Sequence, residues 1–157
     1  MGNKKNISVR LSESDLRRLK DISSRLNIKD SDLFRFSVKL TISRMMPLLR
    51  QDMKGIDVLM TMLDSGGDLL RYFEFDSHQI DKIVNSDADA GVRVAMDDID
   101  LVAISTLNQD YLSTQLMEMG EPVSPSDNPL AVLRSYLYKK YYVNNTQDVQ
   151  LREEEPA

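Results

Sequence analysis

The sequence predicts a mainly α protein in two parts. Residues 1–47 read as one strand and two helices that fold as half of an intertwined dimer. Residues 48–143 read as an acidic, mostly helical domain, and residues 144–157 as a disordered tail. Three observations predict this. The stretch Asn6-Ile7-Ser8-Val9-Arg10-Leu11 alternates polar and apolar with period 2, the pattern of a strand with one face for a core. Two helix-period patterns follow it directly, and no second strand lies nearby to take its backbone N–H and C=O groups, which leaves the same strand of a second copy. Charge is also divided: residues 1–50 carry 12 Lys+Arg against 5 Asp+Glu, net +7, whereas residues 51–157 carry 8 against 20, net −12.

Each element has a local reason. Ser12-Glu13-Ser14-Asp15 resembles a capping box with Asp in place of Glu, and the acids suit the positive end of a helix. Leu16, Leu19, Ile22 and Leu26 continue it at helical spacing to Asn27, a residue that accepts the left-handed cap. A second helix starts near Lys29–Ser31 and carries Leu33, Phe34, Val38, Leu40, Ile42, Met45 and Met46. Its apolar residues fall on more than one side, so it must be covered on more than one side. A module of this size rarely builds a sufficient core alone, and dimerisation is the natural remedy. Pro47 lacks an N–H and ends or kinks the helix, which places a boundary at 47–52.

Residues 5–46 resemble the ribbon-helix-helix family of the Arc, methionine and CopG-type repressors. The ribbon corresponds to N-I-S-V-R-L, the first helix to S-E-S-D-L-R-R-L-K-D-I-S-S-R-L, and the turn to L-N-I-K-D-S-D-L-F-R-F-S-V. Asn27 stands where glycine is usual, and Lys29 where Ser or Thr often caps the second helix. The resemblance implies a homodimer that inserts an antiparallel ribbon into the major groove of double-stranded DNA. Asn6, Ser8 and Arg10 would then read bases, while Lys4, Lys5, Lys29 and Ser31 would meet phosphate. Asp30 and Asp32 would repel phosphate unless they turn away.

Beyond residue 50 the pattern is looser. A helix is expected over 52–63, a turn at Ser65-Gly66-Gly67, and a short helix or strand at Leu69–Phe73. Gln79–Val84 reads as a short helix, Gly91–Met96 as a brief strand, and Ile99–Met119 as one helix with Ile99, Ala103, Leu107 and Tyr111 four apart. Residues 120–127 read as a loop, and Asn128-Pro129 opens a last helix with an N-cap and Pro at its first position.

Chemistry is sparse. The chain has no cysteine, which excludes disulfides and thiolate sites, and its one histidine, His78, has no evident partner. Asn85-x-Asp87-x-Asp89 imitates a calcium loop but has Ala90 and Met96 where Gly and Glu are required. Asp97, Asp98 and Asp100 read as acids at a helix start. Neither a catalytic constellation nor a cofactor or metal site is expected. The N-terminus carries no secretory signal, Asn6 fails the myristoylation pattern, and no apolar run reaches the ~20 residues of a membrane span. The expectation is a cytoplasmic, nucleoid-associated DNA-binding regulator, typically a repressor, with an acidic domain for oligomerisation or a protein partner. The alternative is an antitoxin-type or plasmid transfer or partition accessory protein.

Overall fold

A computed structural model of the chain describes residues 4–65 and 67–144. The expected tail, 144–157, lies almost wholly outside them, as does Gly66 of the expected turn. The chain divides into two compact units, residues 1–44 and 45–157. No helix is long and apolar enough to cross a membrane among the described residues.

The first unit contains α1 (Glu13–Leu26) and most of α2 (Asp30–Met45). The Asp15 amide donates to Ser12 Oγ at 3.1 Å and starts α1. Asn27, with φ +53°, ends it: its amide donates to the Ser24 carbonyl and the Ile28 amide to the Ser23 carbonyl.

The predicted strand is absent. Residues 4–11 adopt no regular secondary structure, and no strand occurs among the described residues, so the ribbon-containing fold is overturned in favour of an all-helical one. Alternation fixes which side chains face together; a strand also needs a ladder partner, and the described residues of the chain supply none. The stretch 91–96 fails as a strand for a local reason. The Val94 amide and carbonyl are both taken, at 2.9 Å each, by the side chain of Asn85.

The second unit opens with a 3₁₀ turn, Met46–Leu49, around Pro47. It continues as α3 (Ile56–Asp64), α4 (Gly67–Tyr72), α5 (Ser77–Asn85), α6 (Met96–Ile104), α7 (Gln109–Glu118) and α8 (Pro129–Tyr138), the last running into a π-helical turn, Lys139–Val143. α3 packs on α4 and α5, α5 on α6, and α6 and α7 on α8. Leu59, Ile80, Ile99, Val102, Leu112, Leu116, Leu133 and Leu137 are fully buried between them. α3 starts four residues later than expected because Gly55 takes φ +57°, which no helix allows, and sends its amide to the Val84 carbonyl (2.9 Å). The expected single helix over 99–119 is two. Asn108 caps α7 by accepting from the Tyr111 amide, and Leu107 and Tyr111 point outward, so the four-residue recurrence does not mark the core face. Asp76 and Gln79 form a reciprocal capping box at α5.

Candidate nucleic-acid interface

The residues predicted to meet DNA all lie in the first unit, and the turn between its helices positions part of them. Ser23, the one buried residue among the unit's described residues, donates its hydroxyl to the Asp30 carboxylate as well as approaching the Lys20 carbonyl at 3.0 Å. That contact draws the Asp30 charge back toward α1. Arg35 Nη1 meets Asp32 Oδ1 at 3.0 Å, so the second acid at the start of α2 faces a cation. The two carboxylates that would repel phosphate are thus engaged within the unit, and the exposed Lys29 and Ser31 stand at a helix start whose first amides have no intrahelical acceptor.

Ser31 shares a groove of about 510 Å³ with Ser8, lined also by Ile7, Val9, Leu11 and Phe34. Of the base-reading candidates, the fold therefore brings Ser8 to the head of α2. Lys4, Lys5, Asn6 and Arg10 are exposed on the segment leading to α1 and do not line this groove. The apolar side chains of the unit are left unburied: Ile7 is 84% exposed, Phe36 58% and Ile42 53%. The charge division follows the structural one, with 11 Lys+Arg against 5 Asp+Glu in residues 1–44 and 9 against 20 in residues 45–157.

Sequence reasoning missed the polar fastening of the second unit. Asp98, expected only as a helix-start acid, is fully buried and accepts from Tyr136 Oη (3.0 Å), Lys140 Nζ (2.8 Å) and Tyr141 Oη (2.5 Å). Tyr142 Oη donates to Asp57 at 2.5 Å, and Arg134 pairs with Asp64 through two nitrogens at 2.5 and 3.2 Å. Tyr136 and Lys140 are one helical turn apart, which is readable; their shared acceptor, 38 and 42 residues upstream, is not.

Burial pushes the Tyr141 hydroxyl up to about 12, with the Asp98 carboxylate adding to it, and burial followed by Asp57 raises Tyr142. Burial lowers the Lys140 ammonium, but the bonds to Asp98 and Tyr136 outweigh it and the net shift is upward. These groups hold their protons more tightly folded than unfolded. The Tyr141 contribution is complete below about pH 10 and is lost as pH rises through its folded value near 12. The thermal midpoint of the second unit should therefore fall between pH 10 and 12, and Tyr141→Phe should lose less over that window. Melting curves by circular dichroism across the window check it; identical alkaline losses in both proteins would remove Tyr141 as a cause.

No family model, curated protein or solved structure matches the chain.

Proposed function

We propose that the chain is a DNA-binding transcriptional regulator, a repressor, that works as a homodimer and meets DNA with its first unit. The observation that carries this reading is the coincidence of the charge division with the structural one: the basic excess is confined to residues 1–44. A duplex carries one negative charge per about 1.7 Å, so a compact basic unit joined to an acidic one has one end suited to it. The engagement of Asp30 and Asp32 at the head of α2 supports Lys29 and Ser31 as phosphate contacts. Lys4 and Lys5 add charge from the leading segment, where Asn6, Ser8 and Arg10 carry the side-chain chemistry that distinguishes bases. The exposed apolar side chains of the unit support dimerisation, because they need a cover that the unit's described residues do not provide.

The test is a salt series on DNA from upstream of the protein's own gene, against unrelated DNA of equal length. Wild type should prefer its own DNA. Arg10→Ala, which removes the contact from both half-sites, should lose about 2–6 kcal/mol of that preference while keeping most of its salt dependence. The triple variant Lys4→Gln, Lys5→Gln, Lys29→Gln should bind both DNAs more weakly, with the slope of log K against log salt shallower by about 5, because each lysine occurs twice in the dimer. Dimers that bind neither DNA above background would sink the reading.

A further inference from the structure

A groove of about 500 Å³ lies between α6 and α7. Leu101, Ile104, Tyr111 and Met119 give it an apolar lining, with Gln115 and Ser77 at its edges. Tyr111 and Met119 are about half exposed, so this apolar surface is open to solvent. Asp97 and Asp100 complete the lining; three residues apart on α6, they stand on one side of the groove. No basic residue lines it, and neither carboxylate has an ion-pair or hydrogen-bond partner among the described residues.

We propose that this groove docks a cationic amphipathic helix of a partner protein. Apolar side chains one turn apart on that helix would fill the space over Ile104 and Tyr111, and a flanking Lys or Arg would meet Asp97 and Asp100. Charge complementarity selects this occupant. Two unpaired like charges beside an apolar floor repel each other and gain from a cation, and the surrounding unit, with 20 acidic against 9 basic residues, adds to the attraction. The same field repels nucleic acid and acidic peptides. The volume suits two or three side chains laid into a groove, the usual way an amphipathic helix is held, and Met119 can adjust to their shape. The groove lies within the second unit, so the inference stands apart from DNA binding by the first.

The probe is a synthetic Leu/Lys amphipathic helix of about four turns, with a Leu/Glu counterpart, added to the full chain. Fluorescence anisotropy should give saturable binding of the Leu/Lys peptide and none of the Leu/Glu peptide. Amide NMR shifts should cluster on α6 and α7, including Ile104, Tyr111, Gln115 and Met119. The double variant Asp97→Asn, Asp100→Asn should weaken binding about tenfold or more, and so should Tyr111→Lys, an exposed position where folding is not at stake. Shifts spread over the whole acidic surface, or unchanged binding by both variants, would overturn the proposal. Groove amides that shift with protein concentration alone would overturn it too, by showing that a second copy is the occupant.

Discussion

Asp98→Ala is expected to destabilise the second unit by about 3 kcal/mol, the low end of the range for removing one side of a buried ion pair. The low end applies because the Lys140 side chain is 41% exposed and can rehydrate when its partner goes. The larger share of the loss comes from the Tyr136 and Tyr141 hydroxyls, which lose their carboxylate acceptor in a half-buried setting. Tyr141 Oη also accepts from the Ala95 amide at 2.9 Å, so the same change loosens the start of α6. Urea unfolding followed by tyrosine fluorescence measures this cleanly. The chain has no tryptophan, and all six tyrosines lie beyond residue 45, so the signal belongs to the second unit. Replacing the whole cluster (Asp98→Leu, Tyr136→Phe, Lys140→Met, Tyr141→Phe) should recover most of the loss, because no charge or hydroxyl is then left without a partner and the one donor that loses its acceptor, the amide of the exposed Ala95, can turn to water. A loss in Asp98→Ala below about 1 kcal/mol would mean that water takes the place of the carboxylate at little cost.

Gly55→Ala is expected to be at least as damaging. Gly55 has φ +57° and ψ −125°, a conformation that side chains with a Cβ rarely hold, and the added Cβ would sit 1.8 Å from the Val92 carbonyl oxygen. The neighbour is backbone, and that carbonyl accepts from the Ile56 amide at 3.2 Å, so it cannot swing aside without breaking a bond. Backbone strain and overlap together set the loss at about 4 kcal/mol, a large part of the stability of a domain this size. The same urea titration should show a much lower midpoint. Gly91→Ala is the matched control, since a Cβ there meets nothing within 4 Å. Equal midpoints for the two variants would show that the crossing at Gly55 is not tightly held.

What the sequence made legible was local. Ser12, Asn27 and Asn128-Pro129 mark helix ends through bonds that span two to four residues, and the helices end there. Asn108 carries an equally local signal, which apolar recurrence running across it obscures, and the helix expected from Gln79 starts two residues earlier because Asp76 caps it. The strand failed for a different reason. Ile7, Val9 and Leu11 alternate as a strand would, yet they line a groove with Leu16, Leu19 and Phe34 instead of joining a ladder. Long-range polar pairing stayed hidden. Asp57, Asp64 and Asp98 look like surface acids until the last helix brings Tyr142, Arg134 and Lys140 to them, and one sequence holds no sign of which acid meets which partner. Within the candidate interface, the residue types and the charge excess were readable, whereas the inward turn of Asp30 toward Ser23 depends on the angle between two helices.

The Asn85 side chain, which holds both backbone groups of Val94, closes the chain between residues 86 and 93 into a loop with a fixed neck. Gly55 and Ile56 bind Val84 and Val92 on the same two sides, so the neck is clamped twice. A loop pinned in this way is uncoupled from the helices it joins. Extra residues placed at its outer part, around Asp89 to Gly91, give up the bonds from the Val92 and Arg93 amides to the Asp89 carbonyl (3.0 and 3.1 Å), exposed groups that water can serve, and beyond that cost about 0.6 kcal/mol of closure entropy for each doubling of length. It is a place in the second unit where the chain can grow, accept an inserted tag or be cut without unthreading the core.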